Sequence, residues 1–546
     1  MDQINDFISQ IQASGLYLAR WDVVLALLVG SVGGVLIGAI PGVGPAVAIA
    51  ILLPATFSME PIVGLTVLLG IYGSSMYGGS IPAILINTPG TAVNALTTYD
   101  GFPMTARGEA RRALSLAYSA SFFGGVFSVA CLIFLAPVLA KIAPLFGSRE
   151  IFLAALLGII LVVVAHRRHT LIAAAMASFG IWLSTIGLHP ATYSKRYTFD
   201  QAWLSSGVNL IVVVLGLFAL SQAFILLQGD DEKIRLGRLK GSYFQGFREL
   251  ARHPRVAGIS ASFGVVMGMI PGVGEFTAQF MSYTYAQKSS ERPEDFGHGS
   301  SEGLIAAETA NNAVPGAAMI PLLALGIPGE ALTAMMLSVF YVHNVTPGPQ
   351  LFQNDMDFVV ALYLALLILN VLVVAFLLVA TNQLIKVVQI PNRFLGVAIL
   401  TLSFVGVYSL RNSFTDCILA AGFGLLGFIL KRLHLPIVPI ILGMVLGNIM
   451  EVKLRSAMAR VKSPLDFVDR PIAAILFSIL LLVLVLHFRR VWLDRKERKA
   501  RKWSISHSST SFAANLSHRR NFLLTERGKR LRAKRSRYSR PSTDDR

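Results

Sequence analysis

Long apolar runs separated by short polar ones organise this chain. Residues 113–140 and 358–380 contain no charged side chain. As helices, each exceeds the ~20 residues needed to cross a hydrocarbon core about 30 Å thick. Further apolar runs lie near 21–40, 61–78, 151–165, 171–188, 207–227, 256–270, 394–409, 416–430, 435–450 and 471–486. The pattern predicts an all-α polytopic membrane protein with about ten to twelve helical spans, some of them interrupted.

The interruptions recur. Ile40-Pro41-Gly42-Val43-Gly44 returns as Ile270-Pro271-Gly272-Val273-Gly274, an offset of 230. "IPAILINTPG" at 81–90 is matched by "IPLLALGIPG" at 320–329, an offset of 239. Either match alone is weak, because Pro and Gly are common in membrane helices. Two matches in one order at nearly one offset predict two structural repeats, expected to be inverted relative to each other, with broken helices or re-entrant hairpins. Freed backbone survives at membrane depth only where protein or a water-filled cavity satisfies it. Paired interruptions in two halves are the pattern of a transporter substrate site. A new half-helix N-terminus offers N–H groups and partial positive charge to an anion; a new C-terminus offers carbonyls to a cation. Close helix packing is the alternative use of such glycines.

Small polar residues crowd the first pair of breaks: Ser74, Ser75, Ser80, Asn87, Thr88, Thr91 and Asn94. Hydroxyls and amides bind carboxylates and ions without the desolvation penalty of a full charge, although a lone Ser or Thr more often bonds back to its own helix. Ser80, Asn87, Thr88 and Asn94, with Pro89 and Gly90, are the candidates there. In the second half Glu308 precedes Asn311 and Asn312 within one helical turn, so that Glu308 and Asn312 share a face. Glu308 reads either as a functional intramembrane carboxylate or as a Glu hydrogen-bonded at a helix end. Glu275 and Glu330 follow the second-half breaks and read as half-helix caps.

Charge adds a direction. The net charge is +18, and residues 489–546 supply +14 of it, with nineteen Lys or Arg against five Asp or Glu. A basic segment directly after a span reads as a cytoplasmic anchor on anionic lipid rather than a nucleic-acid binder, and its composition predicts disorder. The loop 229–255 is also basic through Lys233, Arg235, Arg238, Lys240, Arg248, Arg252 and Arg255, and is placed in the cytoplasm by the same rule. The resulting organisation is an interfacial segment at 1–17, a first membrane repeat at 18–228, the basic loop 229–255, a second repeat with C-terminal spans at 256–488, and the tail 489–546. Residues 1–15 are polar and carry no secretory pattern. His166, Arg167, Arg168 and His169 form a polar loop that orients the chain. Cys131 and Cys417 sit in apolar spans and read as small buried hydrophobes. There is no metal-ligand cluster, phosphate loop or nucleophile elbow. No cofactor and no enzymatic activity are expected, and energy is expected from an ion gradient rather than from ATP.

With these residues the chain resembles the large membrane subunit of the tripartite tricarboxylate transporter family of bacteria. The carrying stretches are "GAIPGVGPAVAIAILLP" (38–54), "YGGSIPAILINTPGTAVNALTTYDGFPM" (77–104), "GMIPGVGEFTAQFMSY" (268–283), "FGHGSSEGLIAAETANNAVPGAAMIPLLALGIPG" (296–329) and "VTPGPQLF" (345–352). The last third adds Pro439, "LGMVLGNIME" (442–451) and Arg470-Pro471. The likeness covers roughly residues 18–485. It implies secondary import of di- or tricarboxylates across the bacterial inner membrane, driven by Na⁺ or H⁺. The implied partners are a smaller membrane subunit of about four spans and a periplasmic carboxylate-binding protein. It places substrate and coupling ion, including any Na⁺, at Pro41, Gly42, Gly44, Ser80–Gly90, Pro271, Gly272, Gly274, Glu308–Asn312, Pro328 and Gly329. The chain departs from the family pattern at His189, where an acidic residue is usual, at Tyr341-Val342-His343-Asn344, and in its basic tail. A stand-alone carrier or channel, working without a binding protein, is the alternative reading.

Overall fold

The computed structural model describes residues 12, 14–166, 169–189, 192–229, 241–242, 244–387, 390–459 and 463–493. The expectations for residues 1–11, Arg167, Arg168, the loop 230–240 and the tail 494–546 lie outside the described residues. The chain divides into a compact unit, residues 1–477, and a second unit, 478–546, whose described part is helical.

The protein is an all-α polytopic membrane protein. Its helices are α1 (Trp21–Gly38), α2 (Gly44–Thr56), α3 (Pro61–Ile86), α4 (Thr97–Ala106), α5 (Ala110–Ile142), α6 (Ser148–Ala165), α7 (Thr170–Ser184), α8 (Leu210–Gln228), α9 (Gln245–Leu250), α10 (Pro254–Met269), α11 (Gly274–Ser289), α12 (Ser301–Leu325), α13 (Ala331–Val342), α14 (Pro349–Asn354), α15 (Met356–Val387), α16 (Asn392–Arg411), α17 (Phe414–Arg432), α18 (Val438–Met458) and α19 (Pro471–Leu493). Among the described residues nine are long and apolar enough to cross a membrane: α1, α3, α5, α6, α8, α15, α16, α17 and α19. The apolar helices α2, α7 and α13 are shorter. Helices α16 and α17 leave Phe394, Val405, Phe414 and Ile418 more than half exposed, an apolar surface that suits lipid and not water.

The interior is organised around α3 and α12, which are buried along nearly their whole lengths. Small residues bring other helices close to them, as expected where hydrophobic driving force between helices is absent. Gly30, Gly34 and Gly38 of α1 lie against Gly70, Ser74 and Ser75 of α3. Gly264 and Gly268 of α10 lie against Ala310 and Val314 of α12. The two halves of the sequence interleave: Gly124 of α5 meets Thr309 of α12, while Gly125 meets Asn370 of α15. Helix α8 contains a π turn at Leu215–Leu220.

One element escaped the sequence reading. Gly187–Leu188 pairs antiparallel with Lys195–Arg196 in a two-stranded hairpin. Arg196 fixes the hairpin to α18 through Glu451 at 2.6 Å. His189 takes part in the same contact, with Nε2 at 2.8 Å from Arg455. Cys131 and Cys417 are free and half-buried.

Candidate functional site

The breaks adopt one geometry in both halves. Gly42 and Gly272 have φ of 79° and 81°, and Gly44 and Gly274 have 64° and 67°. These are left-handed values that L side chains avoid. The Gly42 N–H donates to Gly90 O at 3.0 Å, and the Gly272 N–H donates to Gly329 O at 2.6 Å. Each Pro-Gly-Val-Gly break is therefore bonded across to the Pro-Gly of its own half. The C-terminal ends of α3 and α12 also correspond. Asn87 ends α3 in the left-handed conformation, and Gly326 ends α12 in the same way. Thr88 N–H donates to Pro82 O and Ile327 N–H to Pro321 O, at 3.4 and 3.3 Å.

These contacts assign roles to the sequence candidates. Pro41, Gly42 and Gly44 connect α1 to α2, with Gly42 exposed. Asn87 and Thr88 are exposed, Pro89 is half-buried and Gly90 buried. Asn87 is a helix terminator, one of the few residue types that tolerates positive φ. Ser80 is fully buried, and its hydroxyl donates to Tyr77 O of its own helix at 2.7 Å. Pro271, Gly272 and Gly274 are half-buried, Pro328 and Gly329 buried. The second break lies against α6: Pro271 beside Gly158, and Gly272 beside Val162.

Glu308 is the polar centre. It is fully buried on α12 and accepts the Thr97 hydroxyl at 2.5 Å and the Ser121 hydroxyl at 2.9 Å. The amides of Asn94 and Asn312 lie at 3.5 Å from its two oxygens. Asn312 also donates to Ser121 at 2.7 Å, and Asn94 to Met76 O at 3.2 Å. The structure thus brings together Asn94, Glu308 and Asn312, and adds Thr97 and Ser121. Gln279 of α11 extends the cluster, with Nε2 3.5 Å from the Thr97 hydroxyl and Oε1 unpartnered. Asn311 is fully buried with both amide atoms unpartnered, an arrangement that is unfavourable in an apolar interior without a ligand or water. No single Thr, Ser or Gln in an apolar run carries a sequence signal, which is why these residues were missed.

A second cluster lies at the second-half breaks. Tyr72 of α3 donates to Glu330, the N-cap of α13, and sits 3.5 Å from Glu275 in the first turn of α11. The Glu330 N–H donates to the Thr333 hydroxyl at 3.0 Å, so Glu330 takes part in capping as expected. At the first break the charges differ. The first turn of α2 holds no acidic residue. Gln222 of α8 lies beside Gly42 instead, where a Cβ would come within 3.2 Å of its Nε2. Gln222 Oε1 accepts from Lys431 Nζ at 3.1 Å, and Lys431 also donates to Phe218 O in the π turn at 3.3 Å. Lys431 thus turns inward along α8 rather than outward to the interface.

A cavity of about 700 Å³ opens at the starts of α5, α10 and α12, lined by Arg112, Arg252, Arg255 and Arg292 and also by Glu291, Asp295 and Glu302. Glu249 of α9 borders it by bonding Arg112 and Ser301, each at 2.5 Å. Burial raises the Glu249 carboxyl, but the hydrogen bonds from Arg112 and Ser301 outweigh it and hold the group below its ordinary range. Nearby Asp100 is buried and accepts the N–H groups of Gly297, Gly299 and Ser300 at 2.8–2.9 Å. It also accepts the Tyr283 hydroxyl at 2.8 Å. Among the described residues no group of three or more His, Cys, Asp or Glu is arranged to hold a metal ion.

The profile of the family described as the tripartite tricarboxylate transporter TctA family matches residues 24–442. An Agrobacterium vitis protein described as an uncharacterized 52.8 kDa protein in the TAR-I ttuC' 3'region is 36% identical over 455 residues. That match covers 83% of this chain and 90% of the relative. A second A. vitis protein, described as lying in the TAR-II ttuC' 3'region, is 35% identical over 224 residues, 41% of this chain and 93% of the relative. No solved structure matches.

Proposed function

The chain belongs to the tripartite tricarboxylate transporter TctA family, and from this we propose that it is the large membrane subunit of a binding-protein-dependent importer of di- or tricarboxylates, driven by a Na⁺ or H⁺ gradient. The family is one of transporters and not an enzyme class. The proposed partners are a small membrane subunit of about four spans and a periplasmic binding protein. The proposed setting is the bacterial inner membrane, with the basic tail in the cytoplasm on anionic lipid and no nucleic acid involved.

One observation carries the reading: the two halves hold broken helices of the same backbone geometry, each cross-bonded through its own pair of glycines. We read them as structural repeats, inverted in the membrane, of the type that forms a transport site where discontinuous helices meet. Substrate is assigned to the first break. There the start of α2 carries no acidic group, and Lys431 lies behind Gln222 next to Gly42. A helix N-terminus and an ammonium both favour a carboxylate. Gly90, Asn94, Glu308, Asn311 and Asn312 are proposed as the polar lining between the two breaks.

The test is uptake of labelled di- and tricarboxylates by cells expressing the chain with both partners, compared with cells lacking the binding protein. Uptake that requires all three supports the proposal. Uptake by the chain alone in liposomes supports the alternative, a stand-alone carrier or channel.

A further inference from the structure

Tyr72, Glu275 and Glu330 present a proton-count problem. A phenol carries one hydrogen. Tyr72 gives it to Glu330, while Glu275 Oε1 lies 3.5 Å from the same oxygen. That second contact sets carboxylate lone pairs against phenol lone pairs unless Glu275 is protonated or a cation lies between them. Both carboxylates are more than nine-tenths buried, and two like charges meeting on one atom in a low dielectric do not both remain ionised uncompensated. Among the described residues neither is paired with Lys, Arg or His.

A second, independent feature lies beside them. Gln279 follows Glu275 by one turn on the same face of α11, is fully buried, and leaves Oε1 unpartnered. Its Nε2 leads through Thr97 to Glu308. The result is a buried oxygen-rich line that joins the second break to the polar centre. The other titratable groups facing the site are few. Tyr72 comes from α3 and Glu308 from α12, and His166 lies one turn beyond Val162 on α6. Helix α2 bears no charged residue; the charged residue of α10 is Arg255 in its first turn, and those of α18 lie in its C-terminal half, at Glu451, Lys453 and Arg455. The corresponding positions of the first half are Pro45 and Thr91, at the offsets of 230 and 239. Only the second half places acids on its broken-helix N-termini.

We propose that Tyr72, Glu275, Glu330 and the Gln279 carbonyl form the binding site of a monovalent coupling cation, a proton or Na⁺, distinct from the anion-binding first break. This deepens the transport reading above and rests on it for the identity of the co-transported anion. The N-termini of α11 and α13 favour negative charge at the pair, which suits the binding of a cation there.

Two measurements test this. In the first, the thermal stability of the purified full chain is followed against Na⁺, with K⁺ matched, and against pH. The wild type is expected to be stabilised by one of the two cations, and Glu275→Gln and Glu330→Gln to lose that response. A wild type that responds to neither, or variants that respond as the wild type does, overturns the site whatever the substrate. In the second, the three-component transporter is assayed for net accumulation and for exchange of internal label with external unlabelled carboxylate. Each Gln variant is expected to lose accumulation by about tenfold or more, and any exchange it retains is expected to lose the dependence on Na⁺ or pH that the wild type shows. Tyr72→Phe is expected to weaken accumulation in the same direction. Unchanged accumulation, or exchange in the variants that keeps the cation dependence of the wild type, overturns the proposal. A Na⁺ response identifies the cation as Na⁺, and a pH response alone identifies it as a proton. Failure of the wild type to move any carboxylate counts against the transport reading and leaves the stability measurement to decide the cation site.

Discussion

Thr97 and Glu308 lie 211 residues apart and share a hydrogen bond of 2.5 Å inside the protein. Thr97 opens α4, just after the breaks of the first half, and Glu308 sits two turns into α12 of the second. Ser121 of α5 closes the same carboxylate from another side. A buried charge is tolerated when donors surround it and becomes unfavourable when one is withdrawn. Thr97→Ala and Ser121→Ala are each expected to destabilise the protein by ~1–3 kcal/mol. The double substitution is expected to be non-additive, because both hydroxyls serve one acceptor. Thermal unfolding of the single and double variants in detergent measures this, and full additivity contradicts a shared role.

Lys431 supplies the charge assigned to the first break. Lys431→Gln keeps a donor for Gln222 and Phe218 but removes the positive charge. It is expected to raise KM for carboxylate uptake about tenfold while the fold is preserved, a loss of ~1.4 kcal/mol, just under the ~1.5–3 kcal/mol typical of a hydrogen bond to a charged group. A KM unchanged by the substitution, in a variant as stable as wild type, shows that the ammonium only packs.

The cavity at the starts of α5, α10 and α12 has a pH-sensitive edge. Glu249 is raised by burial but lowered further by Arg112 and Ser301, so that its folded value lies below the ordinary 4.5. A depressed carboxyl contributes stability that is complete above about 4.5 and is lost as pH falls through the folded value. Thermal stability is therefore expected to fall on the acid side of 4.5, and Glu249→Gln to flatten that limb. An unchanged acid limb in Glu249→Gln places the responsible group elsewhere.

How much of this was legible follows from what the sequence encodes locally. A lone Pro-Gly pair does not ensure a break, since Pro315-Gly316 lies inside α12; the recurrence of the pairs in both halves made the interruptions readable, and the apolar runs made the membrane class readable. Glu308 was visible as a carboxylate in an apolar run. Thr97, Ser121, Gln279 and Tyr72 matter only because the fold sets α3, α4, α5, α11 and α12 together, and no spacing within one helix records that. Asn87 drew attention as a polar residue, yet it ends α3 with φ of 56° as Gly326 ends α12 with 69°. The clue was the shared offset of 239, which aligns the two residue types that best tolerate the left-handed conformation. Ser80 donates to its own helix, the common fate of a serine in an apolar span. The hairpin at 187–196 has two residues per strand, too short for an alternating pattern.

The glycines of the two breaks separate backbone geometry from surroundings. Gly42 and Gly272 share nearly the same φ, so Ala at either position meets the same left-handed strain of ~1–2 kcal/mol. Their neighbours differ. A Cβ at Gly42 meets the amide end of the flexible Gln222 side chain at 3.2 Å, which can move aside. A Cβ at Gly272 runs into the backbone of Val162 on α6, with N and Cα at 2.8 Å. Gly42→Ala is therefore expected to lower stability by about the backbone strain alone, and Gly272→Ala by clearly more, because α6 must shift as well. Paired melting curves measure the difference. Equal losses mean that the second break adjusts without moving α6, and so that its contact with α6 does not hold it in place.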